Sequence, residues 1–251
     1  MPLFRKAAFF ATVASLRDLP LEAVAEVAFA GRSNAGKSSA INTLADHTRL
    51  AFVSKTPGRT QHLNYFKLAD GKFLVDLPGY GYAKAPDEVR GAWEGLIGPY
   101  LEGRTPLKGV VVIMDARHPL TDLDVELIEW LAPTGKPLHL MLTKADKLTR
   151  QQQADTLAEV KEAIAALGDQ CSVQLFSSLK KTGIEKAEAV IGKWLDMDEA
   201  KPVQAATTKR VLAPGEKRNP ELAARLAARK AAKAEKAAAK KKAPGKGGTG
   251  G

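Results

Sequence analysis

The stretch VAEVAFA (Val24–Ala30) runs straight into GRSNAGKS (Gly31–Ser38), and a helical pattern follows from Lys37 to about Ala45. An apolar strand, an octapeptide of the form GxxxxGK[ST] and a helix, in that order, are the setting in which this motif binds phosphate. Gly31 and Gly36 let the backbone curl through Arg32, Ser33, Asn34 and Ala35, so that N–H groups converge on phosphate oxygens. The helix N-terminus adds partial positive charge, Lys37 reaches the terminal phosphates, and the Ser38 hydroxyl suits Mg²⁺. A nucleoside polyphosphate ligand is therefore expected.

Outward from this loop, short apolar runs alternate with longer amphipathic ones. LNYFKLA (63–69) and KFLVD (72–76), joined by Asp70-Gly71, read as a hairpin. Strands GVVVIMD (109–115), PLHLMLT (137–143) and SVQLFS (172–177) alternate with helices over 87–102, 121–132, 149–167 and 183–196. Uninterrupted apolar strands fit a sheet covered by helices on both faces. A doubly wound α/β domain over residues 24–198 is expected, with a six-stranded, mostly parallel sheet containing one antiparallel strand.

The 251 residues and 45% hydrophobic content allow a sizeable core. No apolar run approaches the roughly 20 residues of a membrane span, and the single cysteine, Cys171, cannot form an internal disulfide. Membrane insertion and a disulfide-stapled secreted fold are excluded on that basis, and a cytoplasmic protein is expected. Arg5 and Lys6 ahead of Ala7–Leu16 have the order of a secretory signal. The stretch is short, however, Arg17 and Asp18 close it, and no small-x-small cleavage site follows. Residues 1–23 are expected to pack on the domain instead.

Charge divides the chain sharply. Residues 1–200 carry 24 Lys and Arg against 25 Asp and Glu, whereas residues 201–251 carry 14 against 3. The latter also hold 14 alanines, no aromatic residue and only five larger aliphatics, too few to build a core of their own. Residues 199–251 therefore read as a Lys/Ala-rich flexible tail. It is marginally helical over about 220–242, where Asn219-Pro220-Glu221 has helix-start chemistry. The polycation suits rRNA phosphates. It lacks Trp or Phe anchors for a membrane, and a solvated, dispensable extension is the plain alternative.

Three further motifs gather around the loop. Asp76-Leu77-Pro78-Gly79 ends KFLVD, placing an acid where it can hold Mg²⁺ through water and a glycine N–H near a γ-phosphate. Thr143-Lys144-Ala145-Asp146 follows the strand PLHLMLT. One carboxylate can accept from both N1–H and the 2-amino group of guanine, whereas adenine offers lone pairs there. Asp146 thus selects guanine, Lys144 packs its stem over base and loop, and Ser177-Ser178 sit where backbone N–H groups reach the guanine oxygen. Between helix and hairpin, SKTPGRTQH (54–62) offers two threonines for Mg²⁺, Thr56 and Thr60, and spacing does not separate them.

GRSNAGKSS, KTPGRTQ, DLPGYGYA, TKADKL and FSSLKKTGI, in this order, resemble the EngB (YsxC/YihA) family of bacterial ribosome-biogenesis GTP-binding proteins, of the Era/TrmE-like branch of translation-factor-related GTPases. The resemblance covers roughly residues 5–197 and implies a Ras-like P-loop domain binding GTP or GDP with Mg²⁺. It implies Thr60 and Ser38 as the protein ligands of the metal. It adds Gly58, Arg59, Gln61 and His62 of the PGRTQH loop and Phe176 to the nucleotide site. It further implies a role in late assembly of the large ribosomal subunit and in normal division septation. The tail departs from the family's compact core.

Ras-like enzymes place a glutamine after DxxG to orient water; here Tyr80 stands there, so slow Mg-dependent hydrolysis is expected. Asn34 is a candidate ligand for an activating K⁺, as in related GTPases, or a stabiliser of the loop turn. His47, His62, His118 and His139 show no metal-ligand spacing and read as loop or surface groups. Trp93, Trp130 and Trp194 read as core or docking residues, Tyr80 and Tyr82 as packing or partner contacts, and Cys171 as inert. A monomeric GTP-driven switch is the first reading; a non-switch rRNA-binding assembly factor with a structural nucleotide site is the alternative.

Overall fold

The computed structural model describes residues 3–51, 62–80, 93–197 and 219–242. A seven-stranded sheet organises them: β1 Ala8–Val13, β2 Ala25–Gly31, β3 Leu63–Ala69, β4 Lys72–Asp76, β5 Leu107–Asp115, β6 Leu138–Thr143 and β7 Cys171–Leu175. Their spatial order is β1-β3-β4-β2-β5-β6-β7. Only β3 runs against the rest, antiparallel to both β1 and β4, while the β4-β2-β5-β6-β7 ladder is parallel. The expected count of six strands is corrected by β1. The apolar segment AFFATV pairs with β3 at the sheet edge, and its register breaks between Phe9 and Ala11. Pairing backbone groups in a ladder satisfies them better than packing a loop on the surface would.

Helices cover both faces. α1 (Lys37–Leu44) and α5 (Ile184–Trp194) lie on one side, over a core that includes Val27, Phe29, Ile41, Phe66, Val111, Ile113, Met141, Phe176 and Ile191. α2 (Gly98–Gly103), α3 (Asp122–Leu131) and α4 (Arg150–Ala163) cover the other, over Ala28, Tyr65, Phe73, Val112, Leu140 and Val160. All seven residues of β2 are buried, as both-face coverage of a central strand demands.

Two polar networks that no local spacing announces fix this core. Glu26 on β2 is fully buried and accepts from Arg104 Nη2 at 2.6 Å and Tyr100 Oη at 2.9 Å. Arg104 Nη2 also donates to the Pro20 carbonyl at 2.7 Å, tying the segment before β2 to the end of α2. A buried charge so paired avoids the penalty of an orphan. His139 is not a surface group. It lies on β6, fully buried, with Nδ1 2.7 Å from Ser172 Oγ and Nε2 3.0 Å from Gln174 Oε1. Desolvation pulls its pKa down to about 4, so it stays neutral and structural. His47, His62 and His118 are exposed. Burial pushes the Cys171 thiol up to about 12, far from a reactive thiolate.

The last helix, α6 (Pro220–Lys242), begins where its residue types place it: Asn219 Oδ1 accepts from the N–H groups of Glu221 and Leu222 at 3.2 Å. The tail has too few aliphatics for a core of its own, so its leucines use that of the α/β domain. Leu222 and Leu226 are 1% and 4% exposed and join the cluster beneath α3 and α4. No helix among the described residues is long and apolar enough to cross a membrane.

Candidate nucleotide-binding site

The parallel ladder brings the C-terminal ends of β2, β4, β5 and β6 to one edge, and the predicted site residues collect there. The phosphate loop leaves β2 at Gly31 and turns at Asn34 (φ 64°) before Gly36 (φ 100°) caps α1. A Cβ at Gly36 would be strained in that left-handed backbone and would lie 3.3 Å from Thr143 Oγ1, so only glycine suits the position. Ser33 N–H donates to the Tyr80 carbonyl at 3.1 Å and Ala35 N–H to the Arg32 carbonyl at 3.0 Å. Those two amides are therefore committed within the protein. The first helical bond of α1 runs from Ala40 N–H to the Gly36 carbonyl at 2.9 Å. The N–H groups of Lys37, Ser38 and Ser39 thus have no acceptor inside the helix, which is the arrangement an anion requires.

Lys37 and Asp76 meet directly through a hydrogen-bonded ion pair, with about a tenth of each side chain exposed. A phosphate would compete for the ammonium and a divalent cation for the carboxylate. Ser38, half-buried, follows Lys37 in the first turn of α1. Beyond Asp76 the chain keeps following β2: Leu77 N–H donates to the Phe29 carbonyl at 3.0 Å and Tyr80 N–H to that of Gly31 at 3.3 Å. Pro78 and Gly79 are carried alongside the loop, and a Cβ at Gly79 would press on Ser33 Oγ at 3.1 Å.

Tyr80 turns away from this edge. It is 7% exposed and its hydroxyl donates to Asp124 Oδ1 at 2.8 Å. Burial, then the Asp124 carboxylate, pushes its pKa far above the usual phenol range. Asp124 in turn accepts from Thr121 N–H and Oγ1, closing the N-terminal cap of α3.

The TKAD segment grips the phosphate loop. The Thr143 hydroxyl donates to the Ala35 carbonyl, and its oxygen lies 3.0 Å from the Met114 carbonyl. Lys144 adopts the left-handed backbone (φ 56°) and crosses the loop, its ammonium donating to the Asn34 carbonyl at 2.6 Å and lying 3.0 Å from Asp115 Oδ2. Asp115, at the end of β5, belongs to no motif in the sequence. Burial opposes its ionisation, but the Arg117 side chain and N–H and the Lys144 ammonium outweigh it and hold its carboxyl well below the usual carboxylate range.

Asp146 stands beside Ser177, whose hydroxyl donates to Asp146 Oδ1 at 2.6 Å. Ser177 is buried and is oriented by Thr182 across an isolated bridge and by Lys180 N–H, 3.0 Å from its Oγ. Ala145 N–H donates to the Phe176 carbonyl at 3.1 Å, joining the two loops, while Ser178 is half-buried beside them. A carboxylate fixed this way retains acceptor capacity for two adjacent N–H donors, the pattern guanine presents. Among the loop residues singled out in the sequence, His62 is exposed before β3. Thr56, Gly58, Arg59, Thr60, Gln61 and Tyr82 lie outside the described residues, as does the side chain of Trp93. Trp130 and Trp194 are partly buried against the two cores.

This sheet order, with a phosphate loop after its central strand, defines an α/β P-loop GTPase fold. A crystal structure of a GTP-binding protein engB covers 69% of this chain and 100% of its own, with a TM-score of 0.55 and 19% identity. NFeoB from S. thermophilus, solved with GDP·AlF₄⁻ and K⁺, covers 71% of this chain at a TM-score of 0.50 and 23% identity. Residues 26–144 match the family model described as 50S ribosome-binding GTPase. GTP-binding protein EngB of Dechloromonas aromatica is 66% identical over 200 residues, spanning 79% of this chain and 91% of its own. EngB of Neisseria meningitidis serogroup B is 55% identical over 202 residues, spanning 80% and 96%. The chain belongs to the EngB family of GTP-binding proteins.

Ser177→Ala removes a hydrogen bond to a charged group and should weaken GDP binding about tenfold while leaving the fold intact. Isothermal titration of the variant against the parent checks this.

Proposed function

We propose that this protein is a guanine-nucleotide switch that acts late in assembly of the large ribosomal subunit and is needed for normal division septation, working as a cytoplasmic monomer. Support comes from its EngB membership, from the description of the matched family model and, above all, from one observation. Asp146, set by Ser177, lies two residues after Lys144, which crosses the phosphate loop to the Asn34 carbonyl, while Lys37 opens the helix behind that loop and pairs with Asp76.

The residues present fit Mg²⁺, because a serine hydroxyl and a carboxylate are the hard oxygen donors it prefers. Ser38, with Thr60, would hold the ion directly and Asp76 through water, and the bound ion would supply positive charge to offset that of the phosphates. Lys37 exchanges Asp76 for phosphate oxygens, and the amides at the start of α1 orient them. Gly79 N–H receives the γ-phosphate, so the chain after Asp76 orders with triphosphate and relaxes with diphosphate.

Hydrolysis is slow in this reading, because Tyr80 is spent on Asp124 and no carboxamide occupies its position. Asn34 would hold a K⁺, whose positive charge would stabilise the charge that develops on the phosphates; NFeoB from S. thermophilus was solved with both GDP·AlF₄⁻ and K⁺. Asn34 is exposed, and Lys144 holds its backbone carbonyl rather than its side chain.

Co-sedimentation with large subunits should be stronger with a non-hydrolysable GTP analogue than with GDP. Binding indifferent to nucleotide would favour a non-switch rRNA-binding factor with a structural nucleotide. Single-turnover hydrolysis should run at least about tenfold faster in K⁺ than in Na⁺, as removal of about 1.4 kcal/mol from the barrier implies. Equal rates would remove Asn34 from catalysis.

A further inference from the structure

α6 does more than cap the domain. Arg225 Nη1 donates to the Glu162 carbonyl at 3.3 Å, and four residues later Arg229 Nε meets Glu159 Oε1 at 2.9 Å. α6 therefore runs antiparallel to α4, toward the edge where β5 and β6 end. There Arg229 also donates to the Pro119 and Leu120 carbonyls at 3.2 and 3.1 Å, and Lys230 pairs with Asp122 at 3.0 Å. Arg229 keeps 13% of its side chain exposed, so this is a seated anchor rather than a surface brush.

The helix then continues through Lys242. At 1.5 Å per residue, positions 231–242 add about 18 Å beyond the last anchoring pair. At 100° per residue, Leu222, Leu226, Arg229, Lys233, Lys236 and Lys240 fall within one arc of about 80°. The stripe that is apolar where it docks becomes cationic where it goes on. Glu235, the single acid in this stretch, falls on the opposite side.

We propose that α6 is an anchored arm whose cationic stripe binds the phosphate backbone of duplex RNA at the nucleotide-loop end of the domain. The proposal rests on the ribosomal role given above and names the chemistry of the contact. Phosphate is favoured over unpaired bases because residues 201–251 contain no aromatic side chain on which a base could stack. It is favoured over a lipid surface because, past Leu226, the helix has only alanine on its apolar positions. Anchoring lowers the ordering cost that a free polylysine segment would bear, and it fixes where the RNA lies relative to the nucleotide loops.

The test uses full-length protein and a fluorescein-labelled 20-base-pair RNA duplex, followed by anisotropy across a KCl series. The triple variant K233Q/K236Q/K240Q touches none of the described contacts of α6 with the domain. It should bind at least about tenfold more weakly at 100 mM KCl, with a log–log salt slope shallower by about 2 to 3, while GDP binding is unchanged. Deleting residues 231–251 should give the same or a larger loss. Unchanged affinity and slope in the triple variant would overturn the proposal. So would a full chain that binds phosphatidylglycerol vesicles but not the duplex. Neither assay contains a ribosome. Failure here with GTP-dependent co-sedimentation intact would sink the arm alone, and the converse would sink the switch alone.

Discussion

The contact between Lys37 and Asp76 carries most of what this edge of the molecule does. Each belongs to a different element: Lys37 opens α1 after the phosphate loop, and Asp76 ends β4. Their meeting depends on β4 lying beside β2 in parallel register, Phe29 opposite Asp76, so that both strands release their chains at one level. A pair this poorly hydrated is worth little as net stability, because desolvation cancels much of the attraction. Its value lies in geometry. In the proposed switch it places a cation where phosphate would be received and an anion where a metal would be held, on well-buried backbone.

A second set of contacts ties that edge to the rest of the domain. Ser33 N–H reaches the Tyr80 carbonyl, and the Tyr80 hydroxyl reaches Asp124, which caps α3 through Thr121. One residue before that cap, Arg229 of α6 holds the carbonyls of Pro119 and Leu120. Lys144 draws the phosphate loop and Asp115 together from the other side. The segment after Asp76 is thereby joined by hydrogen bonds to the N-terminus of α3, where the arm is seated. These are contiguous hydrogen bonds, which makes coupling physically available.

Much of this was readable in the residues because the relevant signals are local. GRSNAGKS carries its own turn chemistry, Asp70-Gly71 its own hairpin, and the apolar runs of β2, β5 and β6 could only be strands buried on both faces. β1 escaped because AFFATV has the look of a generic apolar stretch. Phe9 and Phe10 are both substantially exposed, and the register slips between Phe9 and Ala11, so no alternation survives to be seen. The Glu26–Arg104–Tyr100 network, the His139–Ser172–Gln174 triad and the Asp115–Lys144 pair escaped for a different reason. Their members lie about 30 to 80 residues apart and meet only once the sheet has formed. The seating of α6 left one clue: its only large aliphatics, Leu222 and Leu226, stand four apart, one turn of helix, on the face that docks.

In the proposed switch, a guanine-selecting acid, Asp146, and a phosphate cradle share one sheet edge. Exchanging Asp146 for asparagine replaces one acceptor oxygen with an NH₂ donor, which opposes the 2-amino donor of guanine and matches the C2 carbonyl of xanthine. Competition titration of Asp146→Asn against GTP and XTP tests it directly. GTP affinity should fall by at least about 100-fold while XTP becomes the preferred ligand. Retention of GTP preference by the variant would contradict it.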